Sequence, residues 1–264
     1  MLFLDDAVCG RLAMPAIPRV VAQIVLSLKD PAVSMHTISQ ALEQDPTLAA
    51  RTLQLVNSPY YGGRRSFASI ASAVDMLGTD ALKRMVLTAG LTSAFVDVPG
   101  VNLRQFWHHA TQTAQAARLI CLSGARAHHA DAAYLAALLH GIGHIILCQS
   151  FPVAAASFFA SQPDLEGDAL VAAEAAAFGL THPEVGAAWV ERLGFPLEIG
   201  LALRHYLAPW VGNAGELAWP LYLAVLIGPN LESGMSTTAA LAELDPALLE
   251  QAGMQPPVTQ PTRR

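Results

Sequence analysis

Cysteine is scarce in this chain: Cys9, Cys121 and Cys148 among 264 residues. No pair has CxxC spacing, so the three read as free thiols in a reducing compartment and the expected location is the cytoplasm. Charge is scarce too, at 14% of residues with a net of −6. No basic stripe is present, and the local pairs Arg64-Arg65 and Lys83-Arg84 read as solvated surface, which excludes nucleic acid as an expected partner. Long apolar runs are missing as well. Residues 132–148 are interrupted by His140 and His144, and residues 217–227 are short and contain Pro220, so no membrane span is expected. The first ten residues carry Asp5 and Asp6 and no basic segment, unlike a signal peptide. Neither strand-type alternation nor an internal repeat is visible. A Ser-His-Asp order, a glycine-rich phosphate loop and a nucleophilic cysteine environment are all absent.

What remains is apolar and helical. Hydrophobic residues make up 53% of the chain, which suits a large helical core. Ile17, Val20, Val21, Ile24, Val25 and Leu28 follow the i, i+3, i+4, i+7 pattern of an amphipathic helix over residues 18–28. Ser34 caps a second helix with Met35, Ile38, Ala41 and Leu42 inward. Asp45-Pro46 is an N-cap followed by a first-turn proline, opening a helix with Leu48, Thr52, Leu55 and Val56 inward. Residues 57–63 break the pattern. A short helix starts at Ser69, and Thr79 caps another that runs to about Phe95. The sequence Asp97-Val98-Pro99-Gly100 marks a lobe boundary, giving an N-terminal helical lobe over residues 1–98 and a second lobe over 99–252. In the second lobe helices are expected over residues 103–123, 131–149, 168–178 and 196–207, with another opening at Pro152, and residues 217–231 are apolar and expected to pack in the core. Thr181 and Glu184 have capping-box spacing for a helix that ends at Gly194. Residues 253–264, with Pro256, Pro257 and Pro261, are expected to be disordered.

Residues 138–147, Leu-Leu-His-Gly-Ile-Gly-His-Ile-Ile-Leu, are apolar on both sides, so they belong to a central buried helix. His140 and His144 fall one turn apart on one face. Gly141 and Gly143 each cost about 1 kcal/mol in a helix interior, so a neighbour is expected to approach closely there. From this stretch alone, two hydrogen-bonded core histidines remain the plainer alternative to a pair of ligands.

The run Leu138-Leu139-His140-Gly141-Ile142-Gly143 resembles the signature of the HD superfamily of metal-dependent phosphohydrolases, in which a His-Asp pair binds metal. Here Gly141 stands at the aspartate position. Further landmarks resemble the HDOD family, the HD-related output domain. They are Met14-Pro15-Ala16-Ile17-Pro18, Asp45-Pro46-Thr47-Leu48, Asn57-Ser58, the segment from Ala73 to Gly78, Phe106-Trp107-His108-His109, His182-Pro183-Glu184-Val185-Gly186, Leu193-Gly194-Phe195-Pro196 and Arg204-His205. The resemblance runs from about Met14 to His205. It implies an all-α, two-lobed fold whose C-terminal lobe is a degenerate HD-like domain, with His109, His140, His182 and His205 around one vestigial cleft beside Gly141.

No carboxylate carries over with the histidines, since Leu223-Ala224-Val225 stands where the late aspartate would be expected. Two divalent cations about 4 Å apart repel by roughly 16 kcal/mol at an effective dielectric of 20. Paired sites offset this with bridging carboxylates, and neutral imidazoles cannot. No cofactor and no catalytic residue is therefore expected, beyond at most one weakly bound divalent metal on His109, His140, His182 and His205. His108, His128 and His129 are given no role. The implied function is a non-enzymatic bacterial signal-transduction module whose partners are signalling proteins met in trans, with oligomeric state open. The alternatives are a divergent metal-dependent phosphohydrolase and a nucleotide or small-molecule sensor that keeps the old cleft.

Overall fold

A computed structural model describes residues 11–29, 42, 45–57, 67, 69–162 and 165–254. The segment around Ser34, Met35, Ile38 and Ala41, the pair Arg64-Arg65, Cys9 and the tail beyond Met254 lie outside the described residues. Among those described, all regular structure is helical. The chain forms two compact units that are not continuous in sequence. One comprises Met14–Val98 with Arg192–Pro196; the other comprises Met1–Ala13, Pro99–Glu191 and Leu197–Arg264.

The smaller unit holds α1 (Arg19–Lys29), α2 (Pro46–Val56), α3 (Ile70–Leu77) and α4 (Thr79–Ser93). The apolar positions read in the sequence are its core: Val21, Ile24, Val25, Leu48 and Val56 are fully or almost fully buried. Asp45 caps α2 by accepting the Leu48 N–H at 2.9 Å, with Pro46 in the first turn. Gly78, at φ +82°, rather than Thr79, holds the N-cap position of α4. Gly90 lets α1 and α4 touch, because a Cβ there would collide with Val21 Cγ2. Asn57 ties back to Phe67 twice, donating to its carbonyl at 2.9 Å and accepting its N–H at 2.7 Å.

The larger unit is built on α5 (Leu103–Leu122), α6 (Ala130–Leu139) and α7 (Ile142–Ser150). It continues through α8 (Pro152–Ser161), α9 (Gly167–Phe178), α10 (His182–Arg192), α11 (Leu197–His205), α12 (Ala218–Leu226), α13 (Gly228–Glu232), α14 (Thr237–Ala242) and α15 (Pro246–Gln251). Ala110, Ala114, Ala117 and Cys121 lie along one face of α5 and are buried, and such small side chains allow the close α5–α6 packing at the centre of this unit. Every residue of α6 from Ala133 to Leu139 is buried, as expected of a helix that is apolar all round. By length and composition the helical run Ala127–Ser150 could cross a membrane, which the sequence reading did not credit, but 78% of its most apolar window is buried within the protein itself.

One expected long helix is broken. The central one divides at His140-Gly141, because the His140 ring competes for the main chain. Its Nδ1 donates to the Ala137 carbonyl at 2.6 Å, the oxygen that would otherwise accept the Gly141 N–H. Residues 217–231 divide at Ile227 into α12 and α13, with Pro229 in the first turn of the latter. The short helices α14 and α15, capped by Ser236 and Asp245, were not anticipated.

Candidate functional site

The site is assembled at the break between α6 and α7. Gly143, second residue of α7, has no room for a side chain. A Cβ there would overlap the His182 carbonyl oxygen and lie 2.8 Å from the Gly186 backbone nitrogen. This is the close approach that the glycines implied, and it seats the start of α10 against α7. Thr181 and Glu184 form the expected capping box. Glu184 accepts the Thr181 N–H at 3.1 Å and returns its own N–H to Thr181 Oγ1 at 3.4 Å.

That start delivers His182, which is 5% exposed, into a buried hydrogen-bonded chain. Its Nδ1 donates to Glu174 Oε2 at 2.7 Å, and the same oxygen accepts the His182 backbone N–H at 2.8 Å. Its Nε2 lies 2.7 Å from the Tyr206 hydroxyl, which in the neutral ring donates to it. Glu174 is completely buried on α9, where burial would raise its pKa; the nearby His144 ring and the hydrogen bonds from His182 outweigh that and hold it at about 2. Its second oxygen, Oε1, has no hydrogen bond and sits 3.9 Å from His144 Nδ1. Burial opposes charge on His144, but its contacts with Cys148 and Glu174 prevail and raise it to about 9. The buried carboxylate is thus balanced by a histidine on the neighbouring helix.

His140 is 7% exposed and stays neutral: burial, reinforced by nearby His109, lowers its pKa to about 4. With Nδ1 committed to Ala137, only Nε2 is left with a lone pair. Its ring centre is 5.6 Å from that of His109 and 5.8 Å from that of Tyr206. His109, on α5, is half-buried, and its Nδ1 is 2.8 Å from Glu232 Oε1 on α13. An open cleft of about 290 Å³ lies over this end, lined by Asn102, Gln105, Phe106, His109, His144 and Glu232 among others.

The structure therefore brings His109, His140 and His182 together, but not His205. The partly exposed His205 makes no hydrogen bond or ring contact with the other three, and burial and Arg204 lower its pKa. The next residue, Tyr206, points inward instead and bridges His182 and His140. His144 lies beyond the helix break from His140, its ring tilted at 47° to Phe159 with centres 4.1 Å apart.

Gly141 shows why the aspartate position is not merely empty. A Cβ added there would lie 2.8 Å from Phe106 Cε2 and 3.2 Å from its Cζ, so an aromatic ring fills the place where an aspartate side chain would begin. Two carboxylates that the sequence reading did not single out support the histidines: Glu174 and Glu232 each hold one by Nδ1. Both act as outer supports of the kind that orient ligand histidines. The residues do not fit a two-metal centre. His182 has both nitrogens engaged, no carboxylate lies free between the rings, and among the described residues these histidines form no group of three metal-capable atoms within 4.8 Å of one another.

The signals for the residues that were missed are slight. Glu174 is the lone charge in Ala-Ala-Glu-Ala-Ala-Ala-Phe, and Tyr206 lies one position from a histidine that was chosen. Phe106 was read as a landmark rather than as the occupant of the vacated space.

A family model for the HDOD domain matches residues 14–209. An uncharacterized protein of Treponema pallidum (strain Nichols) is 25% identical over 194 residues, covering 73% of this chain and 37% of that protein, so the chain spans little more than a third of that relative's length. The crystal structure of an HDOD domain protein of unknown function from Geobacter sulfurreducens is 25% identical with a TM-score of 0.72, covering 86% of this chain and 75% of that one. A structure of a candidate phosphohydrolase from Shewanella amazonensis SB2B has a TM-score of 0.77 at 21% identity, covering 94% and 87% of the two chains, and shares the fold.

Proposed function

The chain belongs to the HDOD domain family, and from that premise we propose that it is a non-catalytic signal-transduction module that works through contacts with signalling proteins in trans, in the cytoplasm. The observation that carries this reading is the Phe106 ring against Gly141. Hydrolysis by two metals needs carboxylate ligands that bridge and neutralise the ions. Here the position that would supply one is filled with carbon, and the carboxylates nearby are committed to histidine Nδ1 atoms. The hydrogen-bonded chain Glu174–His182–Tyr206, with His140 beside it, serves as a rigid polar core on which the helices are registered.

The test is affinity capture of the full chain from its native cells, followed by reconstitution of each captured pair from purified proteins. A stoichiometric complex that forms without added metal and survives His140→Ala is expected. If no pair reconstitutes and the purified chain hydrolyses a phosphate ester in a metal-dependent way, the phosphohydrolase alternative replaces this reading. One observation favours a second reading, a small-molecule sensor: the cleft at His109, His144 and Glu232 is open and polar. A nucleotide or other small anion that protects the chain against thermal unfolding, and loses that effect in His144→Ala, would support it.

A further inference from the structure

A separate group of side chains lies on the surface of the larger unit, where the turn of Ala127–His129 meets the start of α11 and the loop before α12. The His128 and His129 rings lie side by side with centres 4.0 Å apart. His129 Nε2 is 3.2 Å from Glu216 Oε2, and His129 Nδ1 is 3.6 Å from Glu198 Oε2. One ligand atom each from His128, His129 and Glu216 falls within 4.8 Å of the others, the one such group among the described residues.

We propose that His128, His129 and Glu216 bind a borderline divalent cation, Zn²⁺ foremost, and that Glu198 orients His129 from behind. Two imidazoles and one carboxylate are a donor set that suits zinc, nickel or copper rather than magnesium or calcium. A tetrahedral ion with bonds of about 2.0–2.2 Å holds its ligand atoms about 3.4 Å apart. The His129–Glu216 pair already has that spacing, at 3.2 Å, and a ligand atom of the exposed His128 lies within 4.8 Å of both.

His129 provides the second argument. Both of its nitrogens face a carboxylate, yet a neutral imidazole carries only one N–H. Bound to a metal through Nε2, His129 would keep its one N–H on Nδ1, the nitrogen that faces Glu198 at 3.6 Å. Glu198–His129–metal is then the usual carboxylate–histidine relay, in which the outer carboxylate fixes the tautomer. Three protein ligands leave at least one position open to water or to a ligand from a partner.

The experiment uses the untagged full chain, stripped with chelator and titrated with Zn²⁺ by calorimetry, and with Cu²⁺ by paramagnetic resonance. One Zn²⁺ per chain is expected, with Cu²⁺ hyperfine structure from two imidazole nitrogens. His128→Ala, His129→Ala and Glu216→Gln should each weaken binding by more than a hundredfold, and Glu198→Gln by about tenfold. His128 and Glu216 are exposed, so the melts of His128→Ala and Glu216→Gln should stay close to the parent and carry the test where the partly buried His129 does not. His140→Ala, in the vestigial cleft, should leave this site intact. The proposal is overturned if excess Zn²⁺ does not bind, or if binding survives His129→Ala or disappears in His140→Ala. None of these results bears on whether the chain is catalytic.

Discussion

Gly143→Ala is the smallest substitution that strikes the joint holding the site together. The added Cβ would overlap the His182 carbonyl oxygen and lie 2.8 Å from the Gly186 nitrogen. A tolerable carbon–oxygen contact is about 3.3 Å, so α7 and α10 must part. Neither obstacle can turn aside, since the carbonyl and the Gly186 nitrogen are both main chain. Overpacking of this kind costs about 1–3 kcal/mol and sometimes more. Alanine would recover at most about 1 kcal/mol of helix propensity, and less in a first turn. A net loss of about 2 kcal/mol is expected. It would be read as a lower urea midpoint at unchanged slope, followed by the fluorescence of Trp189, which is buried on the displaced helix. Because the displaced carbonyl belongs to His182, the His182 ring resonance should shift too. A loss below about 0.5 kcal/mol, or stability gained from propensity, would refute the close approach.

Four further outcomes are expected. Leu139→Ala on α6 and Ile142→Ala on α7, both fully buried, should each cost about 2–5 kcal/mol in denaturant melts; a loss under about 0.5 would mean that the helix concerned is not core. Tyr206→Phe leaves His182 Nε2 buried without its donor and should cost about 1–3 kcal/mol, whereas His205→Ala should cost little; equal effects would undo the assignment of Tyr206 to the site. Gly141→Asp should destabilise and gain no metal affinity, while adding Phe106→Ala should relieve the clash; a single variant that binds divalent metal as well as the double would show the ring is no obstacle. The last outcome concerns pH. His140 has a folded pKa of about 4 against about 6.5 unfolded, so the unfolded chain takes up the proton first and stability falls as pH drops through that window. The loss approaches about 3 kcal/mol below it, and His140→Gln should remove that part of the slope. An unchanged slope in His140→Gln would contradict the burial of the neutral ring.

The helical class and most element starts were legible because they rest on local signals: apolar spacing, Asp45-Pro46, and the Thr181–Glu184 box. The demand for a close neighbour at Gly143 was legible for the same reason. The break after Leu139 was not, since it depends on one ring, that of His140, taking a main-chain carbonyl. Nor could the sequence decide between His205 and Tyr206. They are adjacent on α11 and at its end, and only packing against His182 determines which one turns inward. Glu232 reaches His109 from a helix far along the chain, and Glu174 reaches His182 from the helix just before it, and no spacing rule finds either partner. The Phe106–Gly141 complementarity is of the same kind: two unremarkable residues that matter only when the helices are placed together.

The most direct measurement is a hydrolysis assay of the purified chain loaded in turn with Mn²⁺, Fe²⁺, Ni²⁺ and Zn²⁺ and offered cyclic dinucleotides and nucleotides, with His140→Ala beside it. Without a carboxylate at position 141 and with His182 engaged at both nitrogens, the expected result is no turnover above background with any metal. Turnover that appears with metal and vanishes in His140→Ala would contradict a non-catalytic pocket.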